Sequence, residues 1–247
     1  MTSKRVVVVF GATGQQGGGV ARTLLADKTF HVRAVTRDTS SKKALALADL
    51  GAELVTADLH DEASLRKALA GSFGVFAVTD YWSPDIGDKE KEISILLAKI
   101  SHEAGVQVFV YASLPNVERL SKGKYACPHF SGKAKAWEEI KKAGLPFAAT
   151  VEAPIFYQNL ENPRMQNGPI KWSFSREDDG KATFHYPVLG KDETAPWFDV
   201  EDTGLAALAV LKSPEKYNGK RIVFKSPLFN QPTSALLDTF TRVTGEY

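Results

Sequence analysis

Cysteine is nearly absent: Cys127 stands alone in 247 residues, so no disulfide can close within the chain. A reducing compartment fits that composition better than an oxidising one. Charge of one sign is scarce as well, since Lys and Arg exceed Asp and Glu only enough to give a formal charge of +2. That balance does not mark a nucleic-acid binder, and no recognition helix or basic stripe points to direct contact with DNA. Lys42-Lys43 and Lys141-Lys142 read as solvated surface. Long apolar runs are missing too. The run at residues 6–10 is too short for a signal-peptide core or a membrane span. The expected location is therefore cytoplasmic, with the nucleus left open. No low-complexity segment or 20–50-residue repeat is present. His31, His60, His102 and His185 are scattered without the Cys or carboxylate spacing of a metal site, so no metal is expected.

What is present is the composition of a globular protein, 43% hydrophobic and 24% charged. Val6-Val7-Val8-Val9-Phe10 is a β-branched run of the kind that is buried on both faces in a parallel sheet. Further strands are expected at residues 31–35, 53–57, 75–78, 106–111 and 147–151. Helical spacing is visible in Val20, Ala21, Leu24 and Leu25, and helix-forming composition at residues 62–69. A longer amphipathic helix begins near Asp88, with Ile93, Leu96, Leu97 and Ile100 on one face and Gly105 as its stop. Another helix is expected at 131–143. Such alternation demands parallel strands with right-handed crossovers. The expected fold is α/β: a Rossmann-type doubly wound parallel sheet with a smaller, loop-rich C-terminal region. Residues 1–153 would form the dinucleotide-binding core, and 154–247 a substrate or partner region completing the same domain. Residues 155–198 are rich in Pro, Asn, Gly and aromatics, including Trp172, Phe174, Phe184, Tyr186 and Trp197. Regular elements return as a helix at 201–211, a strand at 221–224 and a helix at 233–243.

The first strand is followed at once by Gly11-Ala12-Thr13-Gly14-Gln15-Gln16-Gly17. Glycines are needed there because the turn is tight, the backbone must approach a pyrophosphate, and the helix must pack closely on the strand. N–H groups at the helix start then face the phosphate charge. Such a trio alone is weak evidence, but between an apolar strand and an amphipathic helix it predicts a dinucleotide site. The second strand ends Val35-Thr36-Arg37, where an NAD site usually offers an acid to the ribose 2′-hydroxyl. Arg37 pairs well with a 2′-phosphate, so NADP(H) is the expected cofactor; the adjacent Asp38 leaves NAD open, and plain surface charge is the alternative for Arg37. Asp58 ends the third strand, either within reach of an adenine ring or as an ordinary turn residue. Thr79 ends the fourth, where backbone lines the adenosine or pyrophosphate groove.

These motifs, with Thr79-Asp80-Tyr81-Trp82, His129-Phe130-Ser131-Gly132-Lys133, Pro154-Ile155-Phe156-Tyr157-Gln158-Asn159-Leu160 and Pro214-Glu215-Lys216-Tyr217, carry a family likeness. The chain resembles the NmrA-like family, an atypical branch of the short-chain dehydrogenase/reductases, and within it the redox-sensor branch related to the fungal nitrogen regulator. The resemblance implies that the glycine loop, Arg37, Lys133 and Ile155, Phe156, Tyr157 and Gln158 contact NADP(H). It also implies a regulatory protein partner such as a transcription factor, and a homodimer is open. Family members commonly continue past the position of Tyr247, in a stretch that bears on oligomer contacts and the substrate cleft.

An active short-chain reductase places Tyr-x-x-x-Lys on the helix after the fifth strand, and that tyrosine passes a proton to the substrate oxygen. Here Lys133 matches the lysine and Ser113 the serine, but His129 stands where the tyrosine belongs. Tyr125 is no substitute: eight helical residues would set it about 12 Å from Lys133, and Pro128 favours a helix start after it. His129 reads either as an acid, since imidazole titrates at about 6.5, or as packing at the helix start. Cys127 reads as a redox thiol or as inert. No catalytic residue is assigned. The expected function is an NADP(H) sensor or regulator; the alternative is an NADPH-dependent reductase of a quinone or small carbonyl compound, its aromatics stacking a planar substrate.

Overall fold

The computed structural model describes residues 4–161, 173–176, 182–185, 190, 192–194, 196–224, 232 and 234–245. Two units emerge from its contacts. The first comprises Met1–Ala153 with Glu201–Val223, and the second Pro154–Val200 with Phe224–Tyr247.

In the first unit the chain alternates β1 (Val6–Val9), α1 (Gln15–Asp27), β2 (His31–Thr36), α2 (Lys42–Asp49), β3 (Glu53–Thr56), α3 (Glu62–Leu69), β4 (Gly74–Ala77) and α4 (Glu90–Glu103). Next come β5 (Val108–Ser113), a short α5 (Val117–Leu120), α6 (Pro128–Ile140) and β6 (Phe147–Glu152). The strands join one seven-stranded sheet in which β1 pairs with β2 and β4, β2 with β3, β4 with β5 and β5 with β6, all parallel. Its seventh member, β11 (Arg221–Val223), lies parallel to β6 with Arg221 opposite Thr150. The all-valine β1 and the wholly buried β5 show why a parallel sheet suits these runs: both faces are covered, so no polar alternation is needed. One large cluster packs Val8, Phe10, Leu65, Leu69, Leu97, Ile100, Phe109, Tyr111, Trp137 and Ile140 under α3, α4 and α6.

Several boundaries differ from the sequence expectation for identifiable reasons. Helix α2 was not anticipated; its buried residues are only Ala44 and Leu47, too few for a clear stripe, and Ser41 caps it by accepting from the Ala44 N–H. Strand β5 begins at Val108 because the Val106 N–H closes the turn after Gly105 onto the Ser101 carbonyl, and the chain meets the residue before β4 only at Gln107, whose N–H bonds the Phe73 carbonyl. Gly105 takes φ +79°, as a C′ residue should. Helix α6 starts at Pro128, whose missing N–H loses nothing at a first position, and Tyr125 lies in the preceding loop.

Helix α7 (Thr203–Lys212) packs on α1 at close range: a Cβ on Gly204 would lie 2.1 Å from Thr23 Oγ1 and 2.7 Å from the Gly19 carbonyl oxygen. Arg22 clamps the same pair of helices through Glu201. After α7 comes the short α8 (Pro214–Tyr217) and then β11, whose Arg221 grips the buried Glu152 by two bonds of 2.6 and 2.7 Å. That guanidinium is held even more firmly protonated by the carboxylate.

The second unit contains β7 (Ile155–Phe156) parallel to β10 (Trp197–Phe198), and an antiparallel pair β8 (Ser173–Arg176) and β9 (Ala182–His185). Tyr157 stacks on Trp197 and Phe198 on Phe224, while Gln158 bridges Asp199 and the Val200 N–H. Helix α9 (Ser234–Thr244) is the last element. Trp172 and Tyr186, and the side chains of Phe174 and Phe184, lie outside the described residues. Among the described residues no helix is long and apolar enough to cross a membrane.

Candidate functional site

The strand order β11-β6-β5-β4-β1-β2-β3 changes direction between β1 and β4. A crevice forms outside the carboxyl ends of strands at such a switch point, because the connections on either side diverge to opposite faces. The glycine loop sits there. Gly11 takes φ +62°, and the Gly14 N–H closes the turn onto its carbonyl at 2.9 Å. A Cβ on Gly17 would fall 2.2 Å from the Gly11 oxygen and 2.7 Å from that of Phe10, so only glycine lets α1 start this close to β1. Gly14 caps α1 with extended backbone, no side-chain bond, and no acid in the first turn. The positive end of the α1 dipole is therefore not neutralised by a side chain of its own helix. Ala12 is buried, and its N–H points to the Val35 carbonyl at 3.4 Å; Thr13 and Gln15 are half-buried. Gln16 Oε1 is buried with no hydrogen-bond partner among the described residues.

Arg37 leaves the end of β2 70% exposed, and its Nη1 lies 3.3 Å from Asp85 Oδ2. Asp38 is turned to local work: its Oδ1 accepts from Ser40 N–H at 2.8 Å and Ser40 Oγ at 2.6 Å, which hold its carboxyl below the usual range. Asp58 likewise closes the turn into α3, accepting from His60 N–H at 2.8 Å.

The densest polar cluster gathers at the ends of β4 and β5. Lys133, on α6, is buried, and its Nζ donates to Glu90 Oε1 at 2.6 Å and to the Thr79 carbonyl and hydroxyl at 3.0 Å each. The Thr79 hydroxyl donates onward to Glu90 Oε1 at 2.8 Å. Burial pulls the Lys133 pKa down, and the Glu90 carboxylate opposes that only in part. Glu90 Oε2 and the Oγ of Ser113 are buried without a partner among the described residues. Beneath them Tyr111 donates to Ser94, whose hydroxyl donates to the Glu90 carbonyl. Burial pushes the Tyr111 phenol far above its ordinary value, so it stays protonated.

One turn before Lys133, His129 lies among aromatic rings: Trp82 and Phe130 at 4.9 Å between centroids and Tyr81 at 5.7 Å. Burial lowers its pKa below 6.5, and the Lys133 charge lowers it further. Cys127 Sγ stands 3.7 Å from His129 Nδ1, yet burial pushes the thiol up, the opposite of a reactive thiolate. Nearby, a cavity of about 240 Å³ is lined by Tyr81, Asp88, Glu90, Cys127, Ser131 and Lys135 among others.

Thr79 and Lys133 are thus brought into contact, the glycine loop occupies the switch point, and Arg37 and Asp58 end neighbouring strands. Ile155, Phe156, Tyr157 and Gln158 belong to the second unit. Glu90, the direct partner of Lys133, was missed from sequence. Its signal was available: Glu90, Ile93, Leu97 and Ile100 share one helical stripe, so a carboxylate lies on the buried face.

Sheet order and glycine loop together define a Rossmann-type dinucleotide fold. The NmrA-like family model matches residues 3–246, and the chain belongs to that family. An NmrA-like family domain-containing oxidoreductase, malD, of Malbranchea aurantiaca is 36% identical over 99% of this chain and 74% of its own length. An NmrA-like family domain-containing protein of Dictyostelium discoideum is 29% identical over 97% of this chain and 78% of its own. Among solved structures, NmrA, described as a negative transcriptional regulator, superposes with a TM-score of 0.82 at 25% identity, covering 99% of this chain and 73% of NmrA. A complex of NmrA with NADP gives a TM-score of 0.81 at 24% identity, over 100% of this chain and 73% of that one.

Proposed function

We propose that this chain is an NADP(H)-binding redox sensor or regulator of the NmrA-like type, without tyrosine-dependent dehydrogenase chemistry. The residues fit the cofactor: a Cβ at Gly17 would collide with backbone, the α1 start carries no acid, and Arg37 replaces the acid that favours NAD. Gly11, Ala12, Thr13, Gly14, Gln15, Gln16 and Gly17 would take the pyrophosphate, Arg37 the 2′-phosphate, Asp58 the adenine side, the Thr79 backbone the pyrophosphate groove and Lys133 the nicotinamide ribose. The family likeness adds Ile155, Phe156, Tyr157 and Gln158. Complexes of the structural relative NmrA with NAD and with NADP support the cofactor assignment.

The observation that carries the regulatory reading is the pairing of Lys133. Its ammonium is buried against Glu90, and the residue one turn earlier is His129 rather than tyrosine. NADPH held there would supply a hydride, and an acceptor oxygen would need a proton from a group of this chain within hydrogen-bond reach. Neutral His129, packed among three aromatic rings, is a weak acid for that step, and a lysine already neutralised by Glu90 does little to promote one. The regulatory role implies a protein partner of the transcription-factor type and work in the cytoplasm or nucleus; a homodimer is the simplest assembly for it.

The second reading, an NADPH-dependent reductase of a quinone or small carbonyl compound, is favoured by relatives named oxidoreductases and by the exposed Trp82 beside His129, which suits a planar substrate. Incubating the protein with NADPH and a panel of quinones and carbonyls separates the two. Oxidation at background rate is expected. Robust turnover that falls in His129→Phe at unchanged NADPH affinity would establish the reductase instead.

A further inference from the structure

Three loops from the carboxyl ends of β2, β3 and β4 meet at one carboxylate. Asp85 Oδ2 lies 3.3 Å from Arg37 Nη1 and 3.8 Å from His60 Nε2. Its other oxygen, Oδ1, accepts from the Ser83 hydroxyl, which fixes the group's orientation. Ser83 also accepts backbone bonds from Ile86 and Gly87, so the loop turns tightly around this point.

Topology makes the contact informative. Strand β1 separates β4 from β2 in the sheet, so the β4–α4 loop reaches Arg37 only by crossing the end of β1, where the glycine loop begins. An acid carried there faces the side chain that ends β2 at the position that discriminates the ribose 2′-substituent. One carboxylate oxygen flanked by a guanidinium and an imidazole is placed as a phosphate oxygen would be.

We infer that Asp85 is an internal anion that occupies the 2′-phosphate position formed by Arg37 and His60, and that it selectively weakens NADP(H) relative to NAD(H). The inference rests on the proposed NADP(H) reading and extends it by a specificity-determining acid and a second phosphate-binding residue. For the 2′-phosphate to reach Arg37, the Asp85 carboxylate must give up its partners, and two anions would otherwise share one guanidinium and one imidazole. NAD(H), with a hydroxyl at that carbon, meets no such competition.

Calorimetric titration of NADP⁺ and NAD⁺ into the intact chain tests this without any turnover. Asp85→Asn should tighten NADP⁺ by about 3- to 10-fold, the scale of one exposed ion pair plus a removed repulsion. NAD⁺ should change by less than about 2-fold, and raising salt to 0.5 M should shrink the NADP⁺ gain as screening takes hold. His60→Gln should weaken NADP⁺ by about 2- to 5-fold with NAD⁺ unmoved. Asp85→Glu, which keeps the charge, should stay near wild type. An unchanged NADP⁺ to NAD⁺ ratio in Asp85→Asn, or an equal gain for both, overturns the inference while the cofactor reading survives. A wild-type chain that binds neither dinucleotide overturns the cofactor reading itself.

Discussion

Replacing Glu90 with alanine removes the carboxylate that, among the described residues, bonds the buried Lys133. Glu90 is 2% exposed and Lys133 8%, and their 2.6 Å contact is joined by bonds from Lys133 to the Thr79 carbonyl and hydroxyl. Without Glu90 the Lys133 cation keeps two neutral acceptors and the weaker pull of the Asp80 charge, in a setting that already drives its pKa down by burial. Breaking a buried pair from one side typically costs about 3–5 kcal/mol, a large share of a total stability of about 5–15 kcal/mol. For a chain of this size that loss lowers Tm by roughly 6–20 °C. Urea unfolding at pH 7, followed by tryptophan fluorescence, measures it directly. The decisive arm is the double variant Glu90→Leu with Lys133→Met. Replacing both partners by apolar groups leaves no orphaned charge, so most of the loss should return. Loss of less than about 1 kcal/mol in Glu90→Ala, or simple additivity of the two single changes, would refute a coupled buried pair.

The two loop glycines should fail differently. Gly14→Val has only the Gly11 oxygen at 3.2 Å to contend with, so it should fold and yet bind neither dinucleotide in calorimetry. Gly17→Val drives a side chain into backbone oxygens 2.2 and 2.7 Å from the Cβ position and should lower stability by at least about 2 kcal/mol in urea. Retained binding by folded Gly14→Val would place the cofactor elsewhere. His129 has its folded pKa lowered by burial and then by Lys133. Between that lowered value and the ordinary one near 6.5, the unfolded chain binds the proton and the folded chain does not. Its contribution is therefore complete above about pH 6.5 and is lost as pH falls through the folded pKa. NMR titration of its ring should give a midpoint below 6.5, and stability of His129→Phe should vary less with pH than wild type between 5 and 6.5; a midpoint above 6.5 would contradict the burial argument.

Most of the sheet was legible because each buried strand is a β-branched or apolar run punctuated by glycine, with β1 and the helix stop at Gly105 as the plainest cases. Helix α2 was not, since its core contribution is small and its start depends on the Ser41 cap. The start of β5 drifted by two residues because apolar Val106 satisfies a turn rather than the ladder. At the site, the glycine loop is readable from local pattern and spacing, and Lys133 from the family likeness. Glu90 shows in the sequence only as an acid on a buried helical stripe, and Asp85 shows no signal at all. Their roles come from contacts 43 and 48 residues away in sequence, which only the assembled strand ends create. Asp38, beside Arg37 in sequence, left the choice of dinucleotide open. Its carboxylate is bonded to Ser40.

The central claim is tested most directly by one calorimetric comparison, NADP⁺ and NAD⁺ titrated into wild type and Arg37→Ala. A charge-assisted pair to phosphate is worth about 1.5–3 kcal/mol, or about 10- to 150-fold in affinity. The account predicts that wild type prefers NADP⁺, and that Arg37→Ala loses NADP⁺ affinity on that scale while NAD⁺ affinity stays within about 2-fold. Equal losses for both cofactors, or no preference in wild type, would contradict it.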